Sequence, residues 1–119
     1  MVLGFKDLVV WQRSMDFVVE VYALIRYFPK EENYALADQM RRSSVSIPSN
    51  IAEGHGRNTT KEYIQFLYIA LGSASEIETQ IILANKLEYA KEVDSHLLEI
   101  NEIKKMLNGL ISSLKRKTK

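Results

Sequence analysis

Ser46-Ile47-Pro48-Ser49-Asn50-Ile51-Ala52-Glu53-Gly54 places a proline inside what otherwise reads as a helix. Ala37, Met40, Ser44, Ile47 and Ile51 recur at spacings of 3, 4, 3 and 4, the stripe of one helical face. Pro48 removes one backbone donor and presses its ring toward the carbonyl of Ser44. In an exposed helix interior that costs roughly 3 kcal/mol. Short polar side chains crowd the same turn: Ser43, Ser44, Ser46, Ser49 and Asn50. They can re-satisfy freed backbone groups and let a neighbouring helix come close. A helix ending at Ile47 is the competing reading, because the residue before proline is biased away from the helical region. Apolar spacing resumes beyond Pro48 and a glycine stop arrives only at Gly54, so the segment predicts one kinked helix.

Outward from this helix, three more can be read. The first covers about 7–27, with Leu8, Trp11, Met15, Val18, Tyr22 and Ile25 as its main stripe and Phe17, Val21, Leu24 and Phe28 beside it. The proline helix covers about 34–53. A third starts near Thr59, where Thr59-Thr60-Lys61-Glu62 has the form of a capping box, and covers about 59–87. The fourth covers about 93–114, with Ile100, Ile103, Leu107, Leu110 and Leu114 in register, and leaves 115–119 as a frayed basic tail. No strand-like alternation competes. Short connections favour antiparallel neighbours, so the expected fold is all-α, one domain over 1–119, an up-down-up-down antiparallel four-helix bundle.

Composition narrows the class. The chain of 119 residues is 46% hydrophobic and 26% charged, which suits a soluble globular domain. It has no cysteine, so disulfide and thiolate chemistry are excluded. The N-terminus lacks the form of a signal peptide and no apolar run approaches the roughly 20 residues of a membrane span. A cytoplasmic protein with no membrane partner is expected. Sixteen Lys and Arg against 15 Asp and Glu leave a net charge of +1, so no global attraction to phosphate operates.

Arg41-Arg42-Ser43-Ser44-Val45-Ser46-Ile47-Pro48-Ser49-Asn50-Ile51-Ala52-Glu53-Gly54 closely resembles the signature of the bacterial four-helix bundle proteins encoded by intervening sequences in large-subunit ribosomal RNA genes. That family is similar in turn to the accessory variability protein of diversity-generating retroelements. Phe5 to Gln12, Phe28-Pro29-Lys30-Glu31-Glu32 with Tyr34, and Tyr63-Ile64-Gln65-Phe66-Leu67 through Ala70, Gly72, Ser73 and Glu76 resemble the family's other landmarks. The signature residues here are Ser44, Ile47, Pro48, Asn50, Glu53, Gly54, Tyr63 and Glu76. The resemblance implies a ring-shaped homopentamer and raises the idea of nucleic-acid binding.

Periodicity independently points to assembly. Tyr63, Phe66, Leu67, Ala70, Ala74, Ile77 and Ile81 define one face of the third helix, and Ile64, Tyr68, Leu71 and Ile82 widen it to an arc of about 200°. A monomeric bundle needs an apolar stripe of only about 100° or slightly more. Surplus apolar surface marks interfaces, unless a compact monomer buries more of each helix.

Material for catalysis is scarce. Di-metal bundles use repeated Glu-x-x-His, whereas here His96 and Glu99 occur once and in reversed order. His55 reads as a loop residue, and Gly54 and Gly56 lack the Lys and Ser/Thr of a phosphate loop. The expectation is a non-enzyme with no catalytic residues, no metal and no cofactor. Glu76 reads as a polar contact to the small residues near Pro48 or to Arg41 or Arg42. Candidate nucleic-acid contacts are Arg41, Arg42, Arg57 and Lys61, with Lys115, Arg116 and Lys117 of the tail. The weighed functions are a homo-oligomeric scaffold that binds RNA or DNA backbone weakly, and a protein-interaction adaptor with no nucleic-acid binding.

Overall fold

The Thr59 hydroxyl accepts the Glu62 amide at 3.1 Å and donates to the Glu62 carboxylate at 3.0 Å, so the expected cap opens the longest helix. The computed structural model describes residues 4–117. Its helices are α1 (Val9–Ile25), α2 (Leu36–His55), α3 (Thr60–Lys86) and α4 (Asp94–Lys117), with 3-10 turns at Phe5–Asp7 and Lys30–Glu32. The described residues contain no strand. Each helix packs against its chain neighbours and α1 closes against α4, which completes an antiparallel four-helix bundle with extents of 49 × 23 × 21 Å.

Helix ends differ from the sequence reading for local reasons. The 3-10 turn at Phe5–Asp7 leaves Leu8 extended (φ −75°, ψ 124°), so α1 starts at Val9 rather than near Asp7. A second 3-10 turn delays α2 to Leu36. At the other end α4 continues through Lys117, so the expected frayed tail is helical as far as that residue. Thr118 and Lys119 lie outside the described residues.

Two further expectations are corrected. In α1, Val10, Phe17, Val21 and Ile25 face the core, with Phe28 buried just beyond the helix. Of the stripe read as primary only Ile25 is in the core: Leu8, Trp11 and Val18 are half-buried, and Met15 and Tyr22 are 43% and 42% exposed. Ser14 explains the inversion: it is fully buried on the core face, and its hydroxyl donates to the Val10 carbonyl at 2.7 Å. A serine satisfied within its own helix breaks the apolar pattern without breaking the core.

The helix does run through Pro48, but Gly54 does not stop it. Gly54 is buried inside α2, and the helix continues to His55. A Cβ at Gly54 would sit 2.7 Å from the Phe66 Cβ and 3.2 Å from the Tyr63 carbonyl oxygen. Glycine is there because the backbones of α2 and α3 approach closely. The small polar side chains serve the same approach. Ser43 donates to Gln80 at 2.6 Å, and the Ser46 and Ser73 hydroxyls are 2.8 Å apart. Asn50 donates to the Ser46 carbonyl at 2.8 Å. None of these bonds goes to the carbonyl freed by Pro48: those of Ser43 and Ser46 join α2 to α3, and that of Asn50 stays within α2 and holds Ser46.

Candidate nucleic-acid interface

Lys61, Ile64, Gln65 and Tyr68 lie one helical turn apart or less on the first turns of α3, and Lys115 from the last turns of α4 joins them. Antiparallel packing brings these two ends together. The residues line an open groove of about 420 Å³. Lys115 Nζ donates to the Tyr68 hydroxyl at 2.7 Å and lies 5.2 Å from the ring centroid. An ammonium so much nearer the hydroxyl than the ring centre sits toward the phenol's edge. The contact is therefore a hydrogen bond rather than a cation stacked on the ring face. Tyr68 is 45% exposed. An accessible aromatic ring between two ammonium groups suits an unpaired base with its flanking phosphates.

Arg57 stands at the same end on the α2 side of α3. Its guanidinium lies 4.8 Å from the Phe66 centroid, and it pairs with Glu53 at 3.6 Å. Glu53 offsets part of the charge that Arg57 would present to a phosphate. Arg116 and Lys117 are exposed in the last turn of α4. Cations there also complement the negative end of the helix dipole, worth about 0.3–1 kcal/mol each.

Arg41 and Arg42 are not part of this cluster. They lie toward the opposite end of α2, about 20 Å from His55 at 1.5 Å per residue. Arg41 is held by Asn33, donating to its carbonyl at 3.3 Å and to its side-chain oxygen at 2.7 Å. Arg42 pairs with Asp38 at 3.1 Å, an exposed contact one turn away. The sequence candidates thus divide into two groups at opposite ends.

The signature residues are mainly structural in their contacts. Ser44 is buried and donates to the Arg41 carbonyl at 3.1 Å, while Ile47, Pro48 and Gly54 are buried in α2. The Tyr63 ring meets His55 edge-on at 5.6 Å, and burial pushes its phenol up from its ordinary value. Glu76 is exposed rather than bonded to the Pro48 turn or to Arg41 or Arg42. Gln80 and Ser73, on neighbouring turns of α3, make the polar contacts to α2 instead.

Elsewhere the ionisable groups hold helices together. Arg13 on α1 donates to Glu99 on α4 at 2.9 Å, and this bond raises the guanidinium pKa. Lys104 donates to Glu78 at 2.8 Å, tying α4 to α3. Among the described residues no group of His, Asp and Glu is arranged to hold a metal ion. No helix among them is long and apolar enough to cross a membrane.

Tyr68, Gln65 and Phe66 were not singled out as site residues by the sequence reading. Their signal was available: Lys61, Ile64, Gln65 and Tyr68 follow i, i+3, i+4, i+7 spacing, which puts a cation and an aromatic on one face. Lys115 could be added only once the α3–α4 pairing was known.

The architecture is that of a small antiparallel helical bundle whose signature residues bring two of its helices together. The sequence pattern of the 23S rRNA-intervening sequence protein family matches residues 6–109, and the chain belongs to that family. Among solved structures it is similar to a protein of unknown function from the S23 ribosomal protein family of Bacteroides thetaiotaomicron VPI-5482. The two are 29% identical with a TM-score of 0.80, over 87% of this chain and 98% of that one. No curated protein matches the chain.

Proposed function

We propose that the protein is a non-catalytic, cytoplasmic homo-oligomeric scaffold that binds the backbone of RNA or DNA weakly. The observation that carries this reading is the convergence of Lys61, Lys115 and an accessible Tyr68 ring at one end of the bundle. Arg57, Arg116 and Lys117 add charge at that end. The resemblance to ring-forming relatives supports a homopentamer, which would repeat the patch five times and turn weak contacts into multivalent ones. The exposed apolar residues Met15, Tyr22, Ile69, Ile82 and Leu83 supply surface for such assembly.

Fluorescence anisotropy with short single- and double-stranded RNA and DNA at about 50 mM salt tests the reading. Binding should be indifferent to sequence and fall steeply with salt, because phosphate contacts carry little sequence information. Absence of binding to all four probes at tens of micromolar protein, roughly the middle of the ordinary range of non-specific affinity, would count against it. A protein-interaction adaptor would then be the better reading, with the same apolar surface as its contact face.

A further inference from the structure

At the other end of the bundle, three cations converge on one cavity without a counter-charge. Arg26 follows α1, Lys30 lies in the 3-10 turn after it, and Arg41 comes from α2. Together they line a cavity of about 360 Å³. No carboxylate lines it, and Phe28 and Ala37 form a buried apolar side. Two of the nearby acids have other partners. Glu32 accepts the Leu36 amide and the Tyr89 hydroxyl, and Asp38 pairs with Arg42. Glu31, exposed in the same turn, is not among the residues that line the cavity.

The geometry also prepares Arg41 for a ligand. Its two contacts to Asn33 fix the guanidinium plane at the cavity. Its remaining N–H groups stay free to donate, and a fixed fork matches the oxygens of an anion. The two helix ends near the cavity oppose each other: the end of α1 is negative and the start of α2 is positive. They cancel to first order, so the side chains set the sign of the field.

We propose that this cavity binds a small phosphomonoester. Like charges gathered around a concavity repel one another, and an anion among them relieves that repulsion. Three cations suit a phosphate of charge about −1.5 to −2 better than a singly charged carboxylate. The volume is near the lower end of the roughly 300–1,000 Å³ of small-molecule sites, and one wall is apolar. An organic group beyond the phosphate would lie on Phe28 and Ala37. This site is separate from the Tyr68 groove and stands independently of nucleic-acid binding there.

The test titrates the full chain with ribose 5-phosphate, AMP, inorganic phosphate and adenosine, followed by calorimetry and by amide NMR shifts. Ribose 5-phosphate and AMP should bind with shifts centred on Asn33 and Ala37, inorganic phosphate more weakly, and adenosine not at all. The double variant Arg26→Gln, Lys30→Gln should weaken binding about tenfold or more, as expected when charge-assisted hydrogen bonds are removed. Both side chains are exposed, so the variant should keep the parent melting temperature. Arg41→Gln should weaken binding further. Silence with every phosphate, shifts confined to Lys61 and Tyr68, or full affinity in the double variant would overturn the proposal. Inorganic phosphate binding as tightly as the two esters would overturn the phosphomonoester assignment.

Discussion

Gly54 and Phe66 meet so closely that a methyl group on the glycine would lie 2.7 Å from the Phe66 Cβ, a distance real side chains do not adopt. The neighbour is the rigid base of a side chain on a helix, so relief requires moving α3 away from α2. Gly54→Ala gains up to about 1 kcal/mol in helix propensity. Overpacking costs typically about 1–3 kcal/mol. The net expectation is a loss of stability near 1 kcal/mol, read as a lower urea midpoint at unchanged helical circular dichroism. A more stable Gly54→Ala protein would show that the contact relaxes freely.

Ser44 offers a second probe of the same segment. It is fully buried, and its hydroxyl is satisfied inside α2. Ser44→Leu adds volume that the core has no room for and should cost about 1–3 kcal/mol. Ser44→Ala should cost much less, because the hydroxyl bonds only its own helix. Equal melting temperatures for Ser44→Leu and the parent would refute this account of the packing.

Assembly is checked by native mass spectrometry, which should show a species near five times 13.7 kDa. Ile64→Glu, on the half-buried flank of α3, should reduce it to smaller species. A parent that stays monomeric at micromolar concentration would remove the oligomer from the proposed function. A dimer or tetramer would remove only the pentamer.

At the basic end, Tyr68→Ala should weaken single-stranded probes more than duplexes, since only an unpaired base can stack on the ring. Lys61→Ala with Arg57→Ala should weaken both and flatten the dependence of log affinity on log salt, by roughly one unit for each phosphate no longer neutralised. Equal weakening on single strands and duplexes for Tyr68→Ala would leave charge as the whole of the interaction.

Stability should fall at alkaline pH through Tyr63 and Tyr89. Burial raises the Tyr63 phenol, and desolvation with the bond to Glu32 raises that of Tyr89, both from an ordinary value of 10.0. A phenol raised on folding contributes stability that is complete below pH 10 and lost as pH climbs through the folded value. Urea midpoints measured from neutral pH upward should thus hold steady and then drop above about pH 10. Tyr63→Phe should make the drop shallower; an unchanged profile in that variant would assign the loss to other groups.

The sequence made the four helices legible because each carries its own period, and the capping box at Thr59 located the start of α3 almost to the residue. It misread which stripe of α1 faces inward, since Ser14 interrupts the buried face and Met15 and Tyr22 do not look peripheral in one dimension. Gly54 looked like a stop because glycine ends helices more often than it lets two of them touch. The candidate cations were all visible, but their division was not. Only the antiparallel pairing shows that Lys61 and Lys115 are neighbours and that Arg41 belongs with Arg26 and Lys30.

The close seam between α2 and α3 also bears on how the chain reaches its native state. Gly56 to Thr59 are the residues between these helices, so their contacts form between segments near in sequence and close only a short loop. Helical proteins dominated by such local contacts fold fast. The α2–α3 hairpin is therefore the expected nucleus, with α1 and α4 condensing onto it later. Kinetics would then separate the two halves of the bundle. Gly54→Ala should slow folding and leave unfolding nearly unchanged, whereas breaking the Arg13–Glu99 tie between the outer helices should chiefly speed unfolding.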